Sequence, residues 1–295
     1  MKLKDWLAFI VLGTLWGSSF MWIKIAVQET NPILLVAIRL SFAILTLTAA
    51  ALIARQAMPK SGRMWIILTI FGFTNVAIPY VLITWGEQHI DSAIAAVLNS
   101  TTPLFAMLIA HFALADDRIT ARKLIGLITG FLGILILISR DLNRSTMLEG
   151  NPILLILGQG AVLLASLLYA GSAVFARRNL KGLSYIEQGL VPLLGSTLIL
   201  WLLAASAEGP LSLPELPITW LSLAWLGILG SGLAFLLYYY LIHSVGPTRS
   251  TLVTYIFPLV GVALGVLILG EKLDLQLALG SILIVGSIVV VNSTK

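Results

Sequence analysis

The chain has 295 residues, 59% of them hydrophobic and 11% charged, with a mean hydropathy of +1.01. A soluble domain carries about 25% charged residues, so this composition belongs to a multi-span membrane protein. The net charge of +5 does not indicate nucleic acid, because the basic residues sit at helix ends and in short loops, and the absence of cysteine excludes thiol catalysis, disulfides and thiolate metal sites.

A spanning helix needs roughly 20 mostly apolar residues. The first such run covers 6–27. Lys2 and Lys4 precede it, but it is longer than a signal peptide's apolar region and lacks a small-residue cleavage site, so it reads as a span. Nine more lie at 33–54, 64–85, 92–114, 121–139, 152–176, 185–206, 218–242, 249–269 and 275–292. The longest loop, 139–151, falls midway and places a boundary between residues 1–146 and 147–295, with five helices on each side. With the N-terminus in the cytoplasm, most of the 18 Lys and Arg lie inside; Lys24, Arg140, Arg144 and Lys272 fall outside. Five spans per half make the halves run in opposite senses. The predicted fold is all-α, with ten transmembrane helices as two inverted-topology five-helix repeats, N-in and C-in.

One device occurs twice in register. Pro103 and Pro258 are 155 residues apart, and so are Asp116 and Glu271 at the ends of the same two runs. A proline inside a helix cannot donate to the residue four positions back and crowds its carbonyl. Pro103 therefore frees the Asn99 carbonyl, Pro258 that of Thr254, and Pro79 in the third span that of Asn75. Matched helix breaks at membrane depth are the sequence pointer to a transporter's binding site.

The motifs Trp16-Gly17-Ser18-Ser19-Phe20, Arg39, the Pro103 and Pro258 helices, and Leu269-Gly270-Glu271-Lys272 followed by Leu279-Gly280 resemble the EamA family of the drug/metabolite transporter superfamily. The first half departs from the pattern, with Ala115-Asp116-Asp117 where the second has Gly270-Glu271-Lys272. The resemblance implies a central cavity built by helices 1, 3, 4, 6, 8 and 9, and export of small metabolites, amino acids foremost, across the cell's inner (plasma) membrane.

Candidate substrate-binding residues gather around the breaks. Asn99 and Ser100 form a polar face in helix 4; Thr251, Thr254 and Tyr255 form one in helix 9 at i, i+3 and i+4. The alternative is that such groups only bridge helices, each bridge being worth about 0.6 kcal/mol. In helices 3 and 8 the candidates are Asn75, Tyr80 and Tyr239, whereas Trp85 and Tyr240, near helix ends, suit an interfacial aromatic belt. Trp16 and Tyr169 each precede small residues, and the sequence leaves open whether they gate a pocket or flank a close helix contact; for Gly17 and Gly171 close packing is expected. Arg39, the strong charge within a span, should bind carbonyls or an acid; a structural role is preferred to carboxylate recognition because helix 2 is peripheral in the family picture. His111 reads as a packing histidine or a proton carrier, Glu187 as an interfacial residue and Asp116-Asp117 as a solvated helix end.

No His-Glu-x-x-His, Gly-x-Ser-x-Gly or phosphate loop occurs, so neither an enzyme, a metal nor a cofactor is expected. The expected partners are the lipid bilayer and a small neutral or zwitterionic substrate, an amino acid in the leading reading. Multidrug or nucleoside-like efflux, and a non-transporting membrane sensor, are the alternatives.

Overall fold

The computed structural model describes residues 2–55, 58–59, 61–113, 119–145, 151–180, 182–207, 213–245 and 250–292, without the side chains of 141–145, 185–186, 207, 243, 251–252 and 292. These residues form ten helical stretches: α1 (Leu3–Ala26), α2 (Pro32–Ile53), α3 (Gly62–Glu87), α4 (Ser92–Ala113), α5 (Ala121–Ser145), α6 (Pro152–Asn179), α7 (Tyr185–Ala207), α8 (residues 217–245), α9 (residues 251–267) and α10 (Leu275–Asn292). The first eight are long and apolar enough to cross a membrane; the last two are shorter apolar helices. Helix α5 continues to Ser145, into the stretch predicted as the midway loop, and the expected Asp116-Asp117 end lies outside the described residues.

Local sequence sets the helix ends. Asn31 and Asn151 each accept a backbone N–H from the first turn of α2 and α6, with Pro32 and Pro152 at the position where a missing N–H costs nothing. Asp274 accepts from Leu277 N to start α10. Gly270 ends the turn after α9 at φ +69°, a conformation that suits glycine, and the chain folds back so that Glu271 N donates to Gly265 O.

Large apolar side chains such as Leu45, Ile66, Leu124, Leu202 and Ile282 face outward, as a lipid-facing surface requires. Inside, small residues bring backbones together. Gly86 of α3 and Gly158 of α6 face each other, as do Gly133 of α5 and Gly280 of α10, so that a methyl added on either side would meet the other's carbonyl oxygen at 2.8–3.2 Å. Gly17 of α1 packs on Val260 of α9, as its sequence context suggests. Gly171 does not: an added Cβ would find only Ile109, 4.0 Å away.

Four helices depart from regular α-helix. α4 is broken between Asn99 and Thr102. α9 begins as a 3-10 turn over Thr251–Tyr255 and becomes α-helical at Ile256. α3 carries a π-turn over Phe73–Ala77, ending two residues before Pro79, and α8 a longer one over Trp225–Leu233. The wide turn before Pro79 accommodates a residue with no N–H to give. In α8 no proline lies in the turn or after it; the turn is rich in glycine, at 227, 230 and 232.

Candidate functional site

The distortions surround a buried polar centre. Arg39 of α2 is 3% exposed and reaches inward. Its Nε donates to Ser231 Oγ in the α8 π-turn at 3.0 Å, and its guanidinium lies over the Tyr80 ring at 3.9 Å. The partners are thus a hydroxyl and an aromatic face, not the carbonyls or acid expected from sequence, and Arg39 belongs to the centre although the family resemblance implies a peripheral helix 2. Among the described residues no carboxylate forms an ion pair with it. Tyr169 of α6 lies within electrostatic reach of both Tyr80 and Arg39. Trp16 of α1 packs against Tyr238 at 5.3 Å and Phe257 at 5.8 Å between ring centres. Ser19, one turn from Trp16, approaches Gly230 beside Arg39.

The two proline-broken helices meet where Ala96 of α4 packs on Gly261 of α9. The Asn99 carbonyl freed by Pro103 accepts from Thr102 Oγ1 at 2.8 Å, and Ser166 Oγ of α6 lies 3.3 Å from Asn99 Oδ1. Protein hydroxyls therefore satisfy the break, as a carbonyl at membrane depth requires. Ser100 is fully buried and donates to Val97 O, which turns it back onto its own helix. Asn75 lies in the α3 π-turn, half-buried.

Other sequence candidates sit elsewhere. The 3-10 turn breaks the α-helical spacing that placed Thr251, Thr254 and Tyr255 on one face. Tyr255 donates its hydroxyl to Ile288 O of α10 at 2.7 Å, and the Thr251 side chain lies outside the described residues. Tyr239 stacks on Phe235 and lies over Gly189 of α7; Tyr238, its neighbour, is the one that meets Trp16. Tyr240 donates to Asp5 at 2.9 Å, near the ends of α1 and α8. His111 Nδ1 accepts from Ile119 N, a packing role, and Glu187 forms a reciprocal cap with Ser184.

Sequence reasoning missed a clasp at the end of the bundle where α1, α3, α5, α7 and α9 finish. Glu271 accepts backbone N–H bonds from Ser92 at 2.6 Å and Ala93 at 2.9 Å, so the acid after α9 caps α4. Arg140, 1% exposed, donates to Asp274, Asp91 and the Lys272 carbonyl. Glu29 accepts from Glu215 N, Leu216 N and Thr219 Oγ1, capping α8 from the α1–α2 loop. The Thr219 hydroxyl first, and then those two N–H groups, hold the Glu29 carboxyl below its usual range. Lys24 donates to the Glu87 and Ile90 carbonyls, closing the end of α3. Burial, aided by Lys24, holds His89 below the ordinary histidine value. A cleft of about 700 Å3 opens at this end, lined by Lys24, Glu29, Asp91, Thr219 and Glu271. The matched acids at the two run ends were the available signal, and they point to Glu271.

A bundle of lipid-facing helices around a buried guanidinium, aromatic and hydroxyl centre defines a multi-pass membrane protein with an interior polar site. The EamA-like transporter family matches residues 4–139 and 156–293, and the chain belongs to that family. It is 30% identical over 294 residues to the Escherichia coli K12 protein described as an uncharacterized inner membrane transporter, YedA, covering 98% of this chain and 90% of that one. It is 24% identical to the uncharacterized transporter YoaV of Bacillus subtilis (95% and 94% covered) and 25% identical to protein PagO of Salmonella typhimurium (89% and 84%). A solved crystal structure shares the fold at a TM-score of 0.68 and 19% identity, over 99% of this chain and 98% of its own.

Proposed function

We propose that the protein exports small neutral or zwitterionic metabolites, amino acids foremost, through its Arg39–Tyr80 centre by alternating access. In this reading ten helices span the inner membrane as two inverted halves, 1–146 and 147–295, with both termini in the cytoplasm. Three observations support the halves: the separate family matches, the similar distortions of α3 and α8, and those of α4 and α9. With that orientation the Glu271 clasp closes the outer face. The name of the YedA relative supports the inner membrane.

The substrate class is carried by one observation, a buried guanidinium stacked on Tyr80 whose hydrogen-bond partner among the described residues is a serine hydroxyl. A planar guanidinium presents several donors in a fork that matches a carboxylate. Aromatic rings and hydroxyls beside it suit an uncharged side chain with a few oriented hydrogen bonds. A phosphorylated substrate calls for several cations at that depth, and Arg39 is the one among the described central groups. Purified protein in liposomes should carry labelled amino acids with saturable kinetics. Absence of flux across a broad amino-acid panel overturns the substrate class.

A further inference from the structure

The centre leaves one buried acid unused. Glu87 is the last residue of α3, fully buried, and neither carboxyl oxygen has a hydrogen-bond partner among the described residues. Tyr80, Thr84 and Glu87 stand at i, i+4 and i+7 and share one helix face. The Thr84 hydroxyl, also fully buried, has no partner either, nor does the Ser92 hydroxyl where Glu271 caps α4. Between Tyr80 at the centre and the cleft, Thr84, Glu87 and Ser92 thus carry, in chain order, buried polar atoms without hydrogen-bond partners among the described residues.

The charged groups around Glu87 do not neutralise it by direct bonding. Lys24 on α1 gives its ammonium to the carbonyls of Glu87 and Ile90, at 2.6 and 2.7 Å. Arg39 on α2 is bonded to Ser231, and Glu271 after α9 adds like charge. Asp91 is held by Arg140, and His89 packs on Trp85. From α6 the neighbouring turn of α3 meets Gly158 and Val162, which carry no charge. A carboxyl closed off in this way needs a cation within bonding distance or must itself be neutral. The ammonium of an α-amino acid cannot serve while its carboxylate is on Arg39. It lies two bonds from that carboxylate, whereas Tyr80 and Glu87 are two helical turns, about 10 Å, apart. A proton fits.

We propose that Glu87 is the proton-binding residue of the transport cycle, loading from the Glu271 end when the clasp parts and exchanging with the centre along Thr84 and Tyr80. Flux through the Arg39 site is thereby tied to the transmembrane pH gradient. The inference rests on the transport reading and adds the driving ion to it.

The test compares wild type, Glu87→Gln and Glu87→Asp, each first checked for a monodisperse, thermally cooperative preparation. Infrared difference spectra over a pH titration read the proton directly. Wild type should show the carbonyl stretch of a protonated carboxylic acid; Glu87→Asp should shift its midpoint, and Glu87→Gln should lose it. In liposomes loaded with amino acids, a pH gradient should stimulate wild-type flux several-fold. Glu87→Gln should still exchange labelled for unlabelled substrate yet show no stimulation. An infrared band unchanged in Glu87→Gln, or stimulation that survives the substitution, overturns the assignment. Loss of substrate affinity with stimulation intact also overturns it and makes Glu87 an ammonium ligand. A band that vanishes in Glu87→Gln while wild type carries no amino acid supports Glu87 and sinks only the substrate class.

Discussion

At an offset of 155 residues the chain repeats two helix distortions but not its buried charges. The π-turn at Phe73–Ala77 in α3 falls, after the offset, within the π-turn at Trp225–Leu233 in α8. The break after Asn99 in α4 falls at the change from 3-10 to α-helix in α9. Yet the position matching Arg39 is Leu194, and the one matching Glu87 is Ile242. Different residues also produce the same bend, since proline comes after the turn in α3 and glycines fill it in α8. In the proposed transport cycle, paired distortions suit an exchange of roles between halves, which needs two alike, and a single buried guanidinium suits recognition, which needs one site. The two demands thus fall to different features.

The sharpest way to break this division is at Arg39. If it carries recognition, Arg39→Ala removes a buried charge partner worth about 2–5 kcal/mol, so flux at low substrate should fall roughly 30-fold or more. Arg39→Lys keeps the charge without the fork and should fall between. Initial rates in liposomes measure both. Equal loss of folded protein in both variants would return Arg39 to a structural role.

Shape should respond differently. A Cβ on Gly227 would lie 2.5 Å from the Arg39 carbonyl oxygen and also press on Phe42. Gly227→Ala should therefore lower stability by about 1–3 kcal/mol. Gly171→Ala, facing open space, should change it by less than about 0.5 kcal/mol. Chemical denaturation in mild detergent compares them. Equal effects would mean that the α8 turn is not clamped by α2.

The sequence shows the scaffold better than the site. Most helix ends lie within three residues of the runs read from hydropathy, because lipid imposes length and apolarity directly. Prolines mark the breaks in α3 and α4 for the same direct reason. The α8 turn was illegible, since its glycines sit in an unbroken apolar run. That turn also changes the faces: a π-turn inserts a residue and rotates the rest of the helix by about 100°. Tyr238 meets Trp16, whereas position along the helix alone points to Tyr239. Glu87 was lost by ending the third span at Trp85. Arg39 was recognised but placed at the periphery, because the reach of a long side chain across helices is a tertiary fact.

The prolines test whether a bend matters, at Pro103 where a hydroxyl already satisfies the freed carbonyl and at Pro258. Pro103→Ala and Pro258→Ala should each alter flux more than expression. Each restores a backbone donor facing the freed carbonyl, and Thr102 Oγ1 then competes for Asn99 O. Normal transport by both would make the bends packing features.

The smallest effect is expected at the clasp, where Glu29 has no acid at its offset position, which is Ser184. The folded carboxyl titrates below its unfolded value because Thr219 and two N–H groups bind its charged form. Its contribution to stability is therefore complete above the unfolded glutamate pKa and is lost as pH falls through the lower, folded one. Glu29→Gln retains one acceptor oxygen but cannot titrate. The thermal midpoint of wild type should drop more than that of Glu29→Gln as the medium is acidified through the carboxylate range. The two curves should run parallel above it. Parallel curves throughout would mean that α8 is held at this end by packing and not by the charge of the Glu29 carboxylate.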